Sequence, residues 1–132
     1  MAALDTNILA RCLVQDDPAQ FELASRRVRS CLAEGLTLFV PVTVALKLEW
    51  VLRSNLGFTK DAVIQALSLL LSSDELTFES ECALEFALAN YKKSGADHSD
   101  CVHAALAAQS GEHPLWTFDK TASRISGARP SV

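Results

Sequence analysis

No apolar stretch in this chain reaches the roughly 20 residues that a helix needs to cross a bilayer, because polar residues interrupt each one too soon. Also missing is a charged-then-apolar leader with a small-residue cleavage site, so a cytoplasmic protein without membrane association is expected. Cysteine occurs four times, at Cys12, Cys31, Cys82 and Cys101, without the paired spacing of a zinc site. Their apolar or helical surroundings suit buried free thiols. His98, His103 and His113 show no ligand-like pattern with one another. A basic excess is lacking too. The net charge is −4, which gives no global attraction to nucleic acid, so a polyanionic substrate would need a local basic patch or a bridging metal. No internal repeat, low-complexity tract or linker divides the sequence.

What is present is a chain of 132 residues with 49% hydrophobic and 21% charged content. That length and balance give one folded domain over residues 1–132, with a real core. Apolar runs alternate with helical patterns in a βαβ manner. Strands are expected at 2–5, 36–41, 76–78 and 114–118, with an edge strand near 128–132. Asp17 and Pro18 suit the start of a helix that runs to about Ala33 and closes at Gly35. Residues 44–56 read as a helix stopped by Gly57, and Thr59 caps another through Leu71. Further helices are expected at 81–93, about 99–109 and 120–126. The fold class is α/β, with a central, mostly parallel sheet between two helical layers. Trp50, Trp116, Phe39 and Phe118 are expected to fill its core.

Acidic residues stand at telling places in this layout. Asp5 ends the first strand and is followed by Thr6 and Asn7. Asp119 ends the 114–118 strand. Asp97 and Asp100 open the 99–109 helix, three residues apart and so on neighbouring positions of one face. An unpaired buried carboxylate is costly, and the carboxyl ends of strands in an open α/β sheet are where ligands bind. Right-handed crossovers would bring several of these ends to one edge. Converging carboxylates would hold a hard divalent cation through oxygen. Each residue also has a plainer reading as a helix cap. Asp5 and Asp119, with Asp97 or Asp100 beside them, are the candidate acids, and Ser99 and Thr117 flank them and could hydrogen-bond them.

These segments resemble the PIN domain, and within it the VapC-like toxins of bacterial toxin–antitoxin pairs. Leu4-Asp5-Thr6-Asn7 is similar to the family's opening motif, and Gly95-Ala96-Asp97-His98-Ser99-Asp100-Cys101 to its central acidic motif, with His98 in place of the usual aromatic. Thr117-Phe118-Asp119-Lys120 is similar to its late motif. Trp50-Val51-Leu52-Arg53 followed by Gly57-Phe58 resembles a segment of one VapC branch. The resemblance covers nearly the whole chain. It implies a three-layer α/β/α fold and a Mg²⁺- or Mn²⁺-dependent endoribonuclease acting on RNA, with tRNA and rRNA as possible targets; Asp5, Asp100 and Asp119 would be its metal ligands and Asp97 a supporting acid, with Thr6, Asn7, Ser99 and Thr117 orienting them. It also implies a homodimer and inhibition by a cognate VapB-like antitoxin.

At one position the chain departs from that pattern. Relatives with the Trp-Val-Leu-Arg segment carry a catalytic Glu three residues before the Trp, and here that residue is Lys47. Glu49 is no ready substitute, since two residues along a helix is a rotation of roughly 200°. Its spacing from Arg53 suits a surface ion pair instead. An ammonium among carboxylates would occupy the electrostatic role of the metal, so an impaired or inactive nuclease is expected. A domain that only binds antitoxin or RNA is the alternative, and a slightly shifted register would leave Lys47 on the surface. A haloacid-dehalogenase-like phosphatase wants a second Asp where Asn7 stands. A phospho-accepting receiver domain, the remote alternative, fits Phe78-Glu79 and Lys120 poorly. Arg26, Arg27, Arg29, Lys92, Lys93, Arg124 and Arg129 are the basic groups available to phosphate, with a solvated face the plainer reading for each cluster.

Overall fold

Three parallel strands organise the first part of the chain: β1 (Ala2–Ala3), β2 (Leu38–Val40) and β3 (Leu76–Phe78), in the order β1-β2-β3. Ala2 pairs with Leu38, and Leu38 and Val40 with Leu76 and Phe78. Leu38 and Val40 are fully buried while Phe39 between them is half-buried, the alternation of a strand packed mainly on one face. Parallel neighbours require long crossovers, and helices supply both. Helices α1 (Thr6–Leu13) and α2 (Pro18–Ala33) lie between β1 and β2; α3 (Val42–Trp50) and α4 (Lys60–Leu71) lie between β2 and β3. The computed structural model describes residues 2–13, 18–35 and 37–131. Contacts divide the chain into two compact units, Met1–Glu79 and Ser80–Val132, and the elements named so far belong to the first.

Local chemistry explains the helix ends in this unit. The hydroxyl of Thr59 accepts from the Ala62 N–H at 3.2 Å and caps α4 as expected. Pro41, at the cap position of α3, has no side chain for that task. Glu79 takes it over: its Oε1 accepts from the Val42 N–H at 2.8 Å, while its own N–H donates to the Val40 carbonyl at 2.9 Å. A carboxylate there also complements the positive helix end. Helix α3 runs on into a π-helical turn, Val51–Asn55, and Gly57 follows at φ +72°, a conformation that favours glycine. Leu48 and Leu52 are fully buried. Burial of a side chain of this size stabilises by about 1.5–3 kcal/mol.

The second unit holds α5 (Glu81–Lys93), α6 (His98–Gln109), β4 (Leu115–Thr117) and β5 (Ala128–Pro130). Helices α5 and α6 pack through many small residues, with Ala83, Ala87, Ala104, Ala105 and Cys101 buried beside Leu84, Leu88 and Val102. Strands β4 and β5 are parallel, with Leu115, Trp116 and Thr117 paired to Ala128, Arg129 and Pro130. A 3₁₀ turn, Ala122–Arg124, lies between them and buries Ala122.

The α/β class and the parallel pairing agree with the sequence reading. Several details differ. The strands form one sheet of three and one of two, and β1 is shorter than expected because α1, which the sequence reading did not list, begins at Thr6. The expected 120–126 helix is only a 3₁₀ turn. Trp50, Trp116 and Phe118 are 50%, 64% and 82% exposed, so they do not fill the core. The four cysteines are free as expected, but of the four Cys101 alone is buried: Cys12 and Cys31 are half-buried and Cys82 is exposed. The proposed Asp17 cap and the Leu36 strand start lie outside the described residues. Among the described residues no helix is long and apolar enough to cross a membrane.

Candidate active site

In the first unit, Asp5 follows the buried Leu4 and is itself exposed. Its Oδ1 accepts from the Thr6 N–H at 2.8 Å, which fixes the carboxylate at the start of α1. Thr6 is 1% exposed, and its Oγ1 is buried without a hydrogen-bond partner among the described residues. The hydroxyl therefore does not hold the Asp5 carboxylate; the backbone does. Asn7 is exposed.

Helix α3 separates Lys47 from Glu49. Lys47 is exposed, whereas Glu49 is 4% exposed, as a rotation of roughly 200° requires. The Nε of Arg53 donates to Glu49 Oε2 at 3.0 Å. The pair is the one the spacing predicts, but it is not a surface pair: burial of Leu48, Val51 and Leu52 around this stretch takes the Glu49 carboxylate in with them.

The second unit brings Asp97 and Asp119 into electrostatic range of Asp100. Asp97 holds the cap position of α6 with extended backbone, yet its side chain makes no capping hydrogen bond. Asp100 lies in the first turn of that helix. Its pKa is raised from the ordinary carboxylate value, first by desolvation, then by the negative charges of Asp119 and Asp97, against a smaller lowering by His103. Asp119 uses Oδ1 to accept from the Ala122 N–H at 2.8 Å, so the capping reading holds for one of its two oxygens. Thr117 Oγ1 accepts from the Asp119 N–H at 3.0 Å and fixes the backbone rather than the carboxylate. Ser99 is exposed. His98 is buried and meets the ring of Tyr91 edge-on, with centroids 5.4 Å apart, and so packs in the manner of an aromatic residue.

Carboxylate oxygens grouped around Asp100 suit a hard dication, whose charge would offset those of Asp97 and Asp119. Among the described residues, however, no group of three or more His, Cys, Asp or Glu side chains is gathered closely enough to hold a metal ion as it stands. The buried Glu49 and the buried Thr6 hydroxyl were not expected, because neither residue's spacing tells which helix face is covered.

Among solved structures, the chain is similar to that of Mycobacterium tuberculosis VapC20, a sarcin–ricin loop cleaving toxin. Identity is 18% and the TM-score 0.45, over 98% of this chain and 100% of that one. No curated protein matches. The PIN domain family model matches residues 2–128, and with nearly its whole length so matched, the chain belongs to the PIN-domain family.

Proposed function

We propose that the chain is a metal-dependent endoribonuclease of the toxin–antitoxin type whose activity is impaired by Lys47. The observation that carries this reading is the grouping of Asp97 and Asp119 around Asp100, whose pKa is raised first by desolvation and then by the charges of these two neighbours. Family membership supports a nuclease. The motif resemblance supports RNA as substrate, a VapB-like antitoxin as partner and a homodimer as the assembly.

In this reading Asp100 and Asp119 would hold Mg²⁺ or Mn²⁺ with Asp97 in support, and Asp5 is named a ligand by the family pattern alone. When bound, such an ion activates water and stabilises the charge that builds on the phosphodiester. The protein's part is to hold oxygens in place. The Ala122 N–H fixes one oxygen of Asp119 and leaves the other for ligation; the Thr6 N–H does the same for Asp5. Each is a backbone contact, so the carboxylates are oriented without help from mobile side chains.

Lys47 carries the opposite charge from the Glu that the family pattern places there. Glu49 cannot stand in for that acid, because it is buried and bonded to Arg53. This observation favours the second reading, a domain that binds antitoxin or RNA without cutting. A Mn²⁺-dependent RNA-cleavage assay of the chain and its Lys47→Glu variant, with a chelator control, separates the two. Cleavage by the variant alone supports an inactivated nuclease. Equal cleavage by both removes Lys47 from the site, and no cleavage by either on any RNA counts against the nuclease.

A further inference from the structure

The function proposed above makes no use of the exposed face of the β4–β5 sheet. Trp116 and Phe118 are 64% and 82% exposed, whereas Leu115 and Thr117, at alternate positions, are half-buried. Trp116 lies in β4, and Phe118 is the first residue beyond the strand's end. In the parallel register Trp116 is the partner of Arg129, which is also exposed, so the two residues share a face of the sheet. Lys120 follows two residues after Phe118 and is exposed. In a chain of net charge −4, residues 115–130 hold three basic side chains, Lys120, Arg124 and Arg129, against the single acid Asp119.

Large aromatic side chains are normally buried, and two left in water within three residues of chain mark a surface that is covered by something else. The local charge selects the class of that partner. An apolar protein face would leave Arg129 and Lys120 unmatched. Unpaired nucleic acid satisfies both features, since every base offers a π face for stacking and every linkage a phosphate for a cation.

We infer that Trp116 and Phe118 are a stacking platform for the bases of single-stranded RNA, with Arg129 and Lys120 on its phosphates, leading the strand to Asp119. The inference rests on the RNA reading proposed above and adds the contact by which a protein of net negative charge would hold that strand.

The test is a binding measurement in chelator, where metal-dependent cleavage cannot occur. The chain has two tryptophans, so a Trp50→Phe variant reports Trp116 alone. A single-stranded oligouridylate is expected to quench its emission, and a duplex RNA is not. In the parent chain, Trp116→Ala weakens oligouridylate binding about 5- to 150-fold, the range for loss of one stacked base, while Trp116→Phe keeps most of the affinity. Phe118→Ser, at a more exposed position, repeats the loss with less risk to folding. Arg129→Gln lowers the salt slope by about 0.7, one single-strand phosphate contact. Unchanged affinity in Trp116→Ala and Phe118→Ser overturns the platform. So does an emission change that follows protein concentration without RNA, which assigns the face to a second copy. If Lys47→Glu cuts RNA while Trp116→Ala binds it like the parent, the platform alone fails. If no variant binds or cuts RNA, the nuclease reading fails with it.

Discussion

Arg53 Nε donates to the carboxylate of Glu49 at 3.0 Å across one turn of helix, and only the arginine reaches solvent. Removing one partner of a buried carboxylate exposes the desolvation cost of the other. Arg53→Ala should therefore destabilise by about 1–3 kcal/mol in urea unfolding, below the figure for a fully buried pair because Arg53 is half in water. Glu49→Gln should cost less, since the amide oxygen still accepts. In a Lys47→Glu background, Glu49→Gln should leave metal-dependent cleavage unchanged; its loss would mean that Glu49 takes part in the site.

The cap that Glu79 provides to α3 gives a second expectation. Glu79→Ala removes the acceptor for the Val42 N–H at a helix start where Pro41 offers no substitute. The cost should be about 0.5–2 kcal/mol, as for loss of a local cap. Glu79→Gln should recover most of it, read as the urea midpoint at constant slope.

The success of the sequence reading followed the physics of each signal. Thr59 was legible because a cap is a local event in which hydroxyl and N–H are three residues apart. Glu79 was not, because the helix it caps starts 37 residues earlier. The helix over 81–93 was legible from its own pattern and agrees with α5. The failures concern faces. Trp116 and Phe118 read as core because they are apolar in an expected strand, yet alternation does not say which side is covered, and β4 ends before Phe118. Glu49 failed in reverse: its i, i+4 pairing with Arg53 was legible, but its burial depends on what packs on α3. Asp97, Asp100 and Asp119 were singled out from their positions together with the family resemblance, while the oxygen of Asp119 that is bonded to Ala122 could only be seen in the fold.

Asp100 predicts a pH dependence whose sign follows from its raised pKa. Desolvation and the charges of Asp119 and Asp97 make the folded protein hold this proton more tightly than the unfolded chain does. The corresponding stability is present below the unfolded pKa and is lost as pH rises through the folded one. At neutral pH the ionised Asp100 is thus a burden, and Asp100→Asn should raise the unfolding temperature by the equivalent of about 0.2–1 kcal/mol, the scale of exposed charge interactions. Near pH 3, where the carboxyl is protonated in both states, the variant should show no advantage. A gain that persisted there would trace to packing instead of charge.

The same repulsion should be visible as metal-linked stability without any RNA present. A ligand that binds only the folded state stabilises by RT ln(1 + [L]/Kd), about 2.7 kcal/mol at a hundredfold excess over Kd. Mn²⁺ should raise the unfolding temperature of the Lys47→Glu chain more than that of the parent, because a carboxylate replaces an ammonium. Chelator should abolish the difference. Asp119→Asn in the same background should reduce the Mn²⁺ shift, and in chelator it should leave the unfolding temperature close to that of its parent, since the amide oxygen still accepts from Ala122 N–H. Asp100→Asn should likewise reduce the Mn²⁺ shift while raising stability in chelator. Opposite signs for one substitution, with and without metal, are what a cation site made from repelling carboxylates requires, and a merely structural acid would not give them.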